Sequence, residues 1–536
     1  MHDVSEPDVI VVGAGAGGVS AAAALTELGK RVLHLDAGEI AAPTVPAGNY
    51  ADYRATATEQ WRLLLGSALE GLALPVDASP KYRVPAYARL FSAWSRGNPV
   101  RTNGFTAAGM LAVGGMTNAW GGGVARFSAR ELAACGLPAE EMSDAYARVE
   151  RRIGVSGARA DDVSPHFGPS ADLQAPTELV GASRTLMEAY RRRWEGVTAA
   201  GLRLGRSRLA LCTTDRGDRR ACGACNFCLY GCERRAIYNA AYDVAALKER
   251  PGYRLVEGFA AERIERTADG WRVVAKGVGA GGARSYTARR VVLACGALVS
   301  SRLALDAAGL HERAVRIHCH PSAGMALFVP YADPHPGREG VAIGQLDYLV
   351  DDVEHPAYGS ILPVDALPLA ALLPRAPLGR AAARIAMRRL TPLLLAANLF
   401  LPSELSRCSL TLGRDGVTRF EGGLAPETAP TFARVVATAR RALALCRAWI
   451  LPGSFSVIEP GADLHYAGSL PHRDGDAVGT ALVDGEIRGL PGVHVVDGAA
   501  LATLPAKPPA LTIMANADRI GRRIAAALDG APSTSA

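Results

Sequence analysis

The chain has 536 residues, 49% hydrophobic and 21% charged, which suits a globular protein with a sizeable core arranged as two domains or one large unit with an added lobe. Its net charge of +7 is spread along the sequence, so no basic tail marks it as a nucleic-acid binder. Ten cysteines, four of them clustered, fit a reduced compartment better than a disulfide scaffold, and the acidic start MHDVSEPDVIVVGAG has no basic n-region or small-residue cleavage site, so a cytoplasmic location is expected.

The first elements are explicit. Residues 8–12, DVIVV, have the apolar continuity of a buried parallel strand. GAGAGG follows, then the Ala/Leu-rich helix VSAAAALTELG ending at Gly29, then the strand RVLHLD. This β–Gly-loop–α–β order opens a doubly wound α/β, Rossmann-like domain. Gly13, Gly15 and Gly18 form G-x-G-x-x-G: the first for the tight turn, the second for close approach of a pyrophosphate, the third for helix–strand packing. The helix N-terminus then faces phosphate with partial positive charge. Asp36 ends the second strand, where an acid can accept hydrogen bonds from ribose hydroxyls.

GGMTNAWGGG, 114–123, packs glycines around Asn118 and Trp120, as expected of backbone lying against a flat ligand. Next come Cys222, Cys225, Cys228 and Cys232, whose spacing is that of a bacterial ferredoxin clasp. Four thiolates there suit an iron–sulfur centre, three-iron or four-iron. Tetrahedral zinc, a disulfide or a loop of free thiols are the other readings. Residues 253–275 read as strands with a hairpin turn at Asp269-Gly270, and RRVVLACGAL, 289–298, as a buried strand entering a Gly turn. His318 and His320 in HCH share a strand face but lack a third ligand, so they are not read as a metal site. Cys135, Cys295, Cys408 and Cys446 read as packing residues.

Residues 359–402 are very apolar, but Leu390–Ser403 is shorter than the roughly 20 residues a membrane-spanning helix needs, so no transmembrane segment is expected. Arg380, Arg384 and Arg388 would line one helix face, read as a solvated surface. GVHVVDGAAL repeats the strand-to-turn pattern, ALTIMANADRIGRRIAAAL is a long final helix, and the tail DGAPSTSA reads as disordered. The dinucleotide domain is therefore expected from 1–310 and 456–536, with inserts near 45–110 and 140–210, and a second β-sheet substrate domain from 311–455.

VVGAGAGG, GGMTNAWGG, VVLACGALVSSRLAL at 291–305, LHYAGSLPH and VVDGAALATLPAKPPALTIMANADRI, in this order, resemble the glucose–methanol–choline family of FAD-dependent oxidoreductases, with 320–455 matching only loosely. The resemblance implies FAD as cofactor and hydride transfer to it from the CH–OH group of a small-molecule alcohol, with sugars, cyclitols and secondary metabolites as candidate classes. It implies His465 as the base, Gly115 and Asn118 near the flavin ring, and Asp497 at the flavin tail. Imidazole suits the base role because its ordinary pKa of about 6.5 lies near neutrality. The family's usual Asn or His partner is replaced by Pro508, which has no side-chain donor or acceptor, so either His465 works alone or His472 or Lys507 supplies the second contact. That replacement also keeps open a flavin-scaffolded lyase or isomerase. The cysteine run resembles that of family sugar dehydrogenases carrying a three-iron cluster, which implies Cys228 and Cys232 as ligands with Cys222 or Cys225, and a protein or quinone as electron acceptor.

Overall fold

The structure is a computed structural model describing residues 6–40, 45–69, 84–279, 281–333, 340–351, 354–364, 379–473 and 477–530. The expected disordered tail lies mostly outside these residues. Asp529 and Gly530 still belong to the last helix, where Asp529 pairs with Lys30.

Five parallel strands form the central sheet: β1 (Val9–Val12), β2 (Val32–Leu35), β3 (Tyr253–Val256), β4 (Arg290–Leu293) and β5 (Val493–Val495). Their order is β5-β4-β1-β2-β3. β1 leads to β2 on one side and is flanked by β4 on the other. The order thus reverses at β1, and ligands of such sheets bind outside the carboxyl ends of the strands at that point. VIVV in β1 is wholly buried, as a strand covered on both faces must be.

Helix α1 (Ala16–Glu27) covers one face and packs against α2 (Ala510–Gly530). The approach is close because α1 is built of alanines and α2 brings Gly521. A Cβ on Gly521 would stand 2.9 Å from the Ala21 carbonyl oxygen. Gly29, with φ +73°, follows the helix end, where a left-handed residue closes the last turn. The hairpin at Asp269-Gly270 joins Phe259–Arg266 to Trp271–Gly277 in a three-stranded sheet.

The second large sheet is antiparallel and draws on Leu202–Arg206, Ser322–Phe328, Leu346–Val350, Ala357–Pro363, Leu394–Phe400, Trp449–Ile450 and Ser456–Val457. Leu202–Arg206 comes from the segment read as an insert of the first domain, yet it pairs with Leu346–Val350. Likewise Val100–Asn103 pairs with Thr418–Glu421 in a four-stranded sheet. Residues assigned by sequence to one side thus complete sheets on the other, because edge strands take their hydrogen bonds from whichever ladder is open. Arg380–Leu390 is helical. Among the described residues no helix is long and apolar enough to cross a membrane.

Candidate active site

A continuous cleft of about 2260 Å³ runs between the carboxyl ends of β1 and β4 and the antiparallel sheet. That exceeds the roughly 300–1,000 Å³ of a single small-molecule site, so it has room for a cofactor and a second ligand. Gly13, Gly15, Asp36, Gly115, His465, Asp497 and Pro508 all line it.

The three glycines of the first motif differ in what a side chain would meet. Gly13 turns with φ +101°, and a Cβ there would stand 2.5 Å from the Ala294 carbonyl oxygen. At Gly18 a Cβ would lie 1.8 Å from the Gly13 carbonyl oxygen, so the helix can approach the strand only without a side chain. At Gly15 nothing lies within 4 Å, and a side chain would point into the cleft. This is the cradle a pyrophosphate requires, at the N-terminus of a buried helix. Gly115 sits against it: its Cβ would be 3.2 Å from Gly15 Cα, and Gly114 N–H donates to the Ala14 carbonyl at 2.8 Å.

Asp36 accepts hydrogen bonds from Ala14 N–H at 2.6 Å and Gly38 N–H at 2.7 Å. Burial pushes its carboxyl up to about 6. Its oxygens retain lone pairs for ribose hydroxyls. Asp497 accepts from Ala499 N–H at 3.0 Å and Ser300 Oγ–H at 2.5 Å, and burial likewise pushes it up to about 6.

Asn118 is placed otherwise than expected. It does not line the cleft. Its amide donates to the Val113 and Gly115 carbonyls at 3.0 and 2.8 Å and its oxygen accepts from Asn239 at 2.8 Å. It shapes the glycine loop from behind, which uses its amide fully. His472 is also turned away. It is buried, with Nδ1 against the Leu482 carbonyl at 2.7 Å and Nε2 against the Asn516 amide at 3.1 Å. Lys507 is buried and paired with Glu131 at 2.7 Å. Neither residue reaches the cleft to stand in for the group that Pro508 lacks. Cys295, read as a packing residue, does open onto the cleft.

His465 has neighbours that the sequence did not supply. Its Nδ1 lies 3.1 Å from His320 Nδ1 and 3.3 Å from Asp463 Oδ2, and His320 Nδ1 lies 3.4 Å from the same oxygen. His320 Nε2 is 2.8 Å from the Pro505 carbonyl oxygen. The side chains of His320 and Asp463 are 0% exposed, whereas that of His465 is 28% exposed on the cleft. Phe400 packs against both rings. Burial acts to raise Asp463, but hydrogen bonds from His320 and His465, and their charge when protonated, hold it below the ordinary carboxylate value. His318 does not join this group, so the HCH pair separates. Its missing partners come instead from Asp463 and His465, 143 and 145 residues further along than His320. The available signal was Asp463, two residues before His465.

The remaining walls around His465 come from the antiparallel sheet and its neighbours: Met325, Phe328, Leu362, Met387, Leu390 and Leu394. The same lining includes Ser360, Asn398, Ser454 and Ser456, so the cleft presents polar as well as apolar groups.

The cysteine loop lies behind the cleft wall. Leu229 and Tyr230 line the cleft, while Cys228 is buried and Cys222, Cys225 and Cys232 are half-buried. Ala236 N–H donates to Cys232 Sγ at 3.2 Å, and backbone groups of Ala224, Phe227 and Ala342 lie near the sulfurs of Cys222, Cys225 and Cys228 and lower their pKa values electrostatically. Ala224 and Asn226 hold left-handed φ values of +49° and +60° in this loop. Burial and the neighbouring sulfurs push Cys222, Cys225 and Cys228 up as free thiols. Thiolates with N–H donors and a shared positive partner would relieve that cost. Among the described residues only His320, Asp463 and His465 bring three ligand-type atoms within 4.8 Å of one another. The four cysteine sulfurs do not form such a group.

Residues 11–61 match the family model described as an NAD(P)-binding Rossmann-like domain. No curated protein matches the chain. Among solved structures, the chain is similar to pyridoxine 4-oxidase from Mesorbium loti, with 17% identity, a TM-score of 0.60, and coverage of 97% of this chain and 99% of that one. The fold is therefore a Rossmann-like α/β domain joined to an antiparallel sheet, shared along the full length with that oxidase.

Proposed function

We propose that the protein is an FAD-dependent oxidoreductase that oxidises the CH–OH group of a small-molecule alcohol, with His465 as the base. The observation that carries this reading is the single cleft in which the glycine cradle of β1–α1 and His465 face common space. The likeness in fold to an oxidase and the order of glucose–methanol–choline-like motifs support it. FAD, when bound, supplies the hydride acceptor. Gly13, Gly15 and the α1 N-terminus would hold its pyrophosphate, Asp36 its ribose, and Gly115 and Asp497 the path toward the ring. His465 takes the hydroxyl proton from the cleft side, and the walls of the antiparallel sheet orient the carbon skeleton and exclude water.

Ser360 and Asn398 line the cleft beside Phe328 and Leu362, so sugars, cyclitols and secondary-metabolite alcohols all stay candidate substrates. The test is anaerobic: protein carrying bound flavin is mixed with apolar alcohols and with sugars, and the visible flavin absorbance is followed. Bleaching by any of these alcohols supports the reading. Turnover of a substrate with the flavin remaining oxidised favours the second reading, a flavin-scaffolded lyase or isomerase. Pro508 on the cleft keeps that second reading in play, since it offers His465 no polar partner.

We further propose that Cys222, Cys225, Cys228 and Cys232 hold an iron–sulfur cluster that passes electrons to a protein or quinone acceptor. The ferredoxin-like spacing of the four cysteines supports this, with the Ala236 N–H donor to Cys232 Sγ at 3.2 Å. Iron analysis and electron paramagnetic resonance of anaerobically reconstituted protein test it. Substoichiometric iron, with activity intact in Cys228→Ser, would leave a plain oxidase.

A further inference from the structure

We infer that His320 and Asp463 are positioning residues for His465, the three forming one proton-holding unit in which the only bare nitrogen is His465 Nε2, on the cleft. This rests on His465 being the base.

The assignment follows by elimination over the four ring nitrogens. His320 Nε2 faces the Pro505 carbonyl at 2.8 Å. A carbonyl oxygen only accepts, so this nitrogen carries hydrogen. The two Nδ1 atoms are 3.1 Å apart, a hydrogen-bond distance that needs one proton between them. In the neutral pair, the state a base must hold before it accepts a proton, two protons are held in all, and both are now placed. His465 Nε2 is left bare. It has no hydrogen-bond partner among the described residues, and the ring it belongs to lines the cleft.

Asp463 has a separate part. Its Oδ2 touches both Nδ1 atoms at 3.3 and 3.4 Å and accepts from His320 N–H at 3.2 Å, while its buried Oδ1 has no hydrogen-bond partner. Its charge is therefore directed at the imidazoles. When the alcohol O–H bond breaks, its proton goes to His465 Nε2, the pair becomes cationic, and the carboxylate beside it balances that charge. The carbinol hydride, one proton with two electrons, leaves the carbon for the flavin and the second proton leaves the oxygen for His465, so two electrons and two protons are removed in all. The arrangement gives a chain with proline at position 508 a way to fix the base from its opposite side.

Histidine-¹⁵N-labelled holoprotein near pH 8, above the ordinary imidazole pKa of about 6.5, tests the tautomers directly. His465, assigned by its absence from His465→Ala, should show the Nδ1–H tautomer and His320, assigned from His320→Asn, the Nε2–H tautomer. An Nε2–H tautomer at His465 in the wild-type protein overturns the inference, as does one tightly held divalent ion per chain bound at these three residues. The variants give a second arm. Asp463→Asn should lower the rate of flavin reduction on the order of a hundredfold while FAD stays bound. His320→Phe should lose more than His320→Asn, which keeps an acceptor near the Nδ1 position. Equal rates in all three variants and the wild type would overturn it. If no alcohol reduces the flavin at all, the proposed activity fails, while the tautomers still report on the unit by themselves.

Discussion

The glycine cradle and the histidine corner open onto the same cleft, but their parts come together differently. The cradle is a six-residue stretch, Gly13 to Gly18, whose function lies in missing side chains and in the turn between one strand and one helix. The corner joins His320, Asp463, His465 and the Pro505 carbonyl, which span 185 residues and meet only when both large sheets are in place. Backbone geometry is local and a short motif can encode it. Side-chain proximity depends on the fold as a whole.

This difference orders the expected effects of breaking each part. Gly18→Val should be the most severe, because its Cβ alone would stand 1.8 Å from the Gly13 carbonyl oxygen and the obstacle is backbone. Soluble yield and thermal melting should fall to the point where no folded protein is recovered. A folded, flavin-loaded Gly18→Val would mean that α1 can move off β1, and would break the account of the cradle.

Gly15→Val separates folding from binding. Nothing lies within 4 Å of a Cβ there, so the variant should fold with a melting temperature near that of the wild-type apoprotein. It should lose FAD, because the added side chain enters the space proposed for pyrophosphate. Flavin content measured per folded chain decides it, and full occupancy would move the cofactor elsewhere.

At the corner, the fold and flavin should survive and the rate should not. His465→Ala removes a half-buried side chain from the cleft wall. It should lower flavin reduction by about a hundredfold or more, the usual size of a general-base contribution, with FAD retained. An unchanged rate would take the chemistry away from His465. His472 is not the fallback, since both of its nitrogens are held by the chain.

The parts that were legible follow the same division. β1, α1 and the glycines could be read because apolar continuity and small residues sit at fixed offsets along the chain. The hairpin at Asp269-Gly270 was readable for the same reason. Asn118 was found by position, but its amide is consumed by Val113, Gly115 and Asn239, a matter of side-chain direction that a motif does not specify. HCH was noticed and set aside for want of a third ligand, and the neighbours that complete the group lie far along the chain. The pairing of Leu202–Arg206 with Leu346–Val350 was hidden in the same way, because strand order is not written in a strand's own composition.

The smallest expected effect contrasts two histidines of one short stretch, LHYAGSLPH. His465 faces the cleft, whereas His472 is buried, and burial together with the charge of Arg519 pushes His472 down to about 4. In the unfolded chain it would protonate near its ordinary value of about 6.5. Between these values the unfolded state binds the extra proton and the folded state does not, so stability is lost as pH falls from about 6.5 toward about 4. By this linkage His472 should cost about 2 kcal/mol at pH 5 relative to pH 7. His472→Gln keeps an acceptor for Asn516 and has nothing to titrate, and every other group is common to both proteins. The variant should be the less stable at pH 7, having lost the hydrogen bond to the Leu482 carbonyl. Its stability gap from the wild type, read from denaturant midpoints, should then narrow by about 2 kcal/mol at pH 5. A gap that stays constant with pH would show that His472 titrates alike in both states, and that its burial does not hold it neutral.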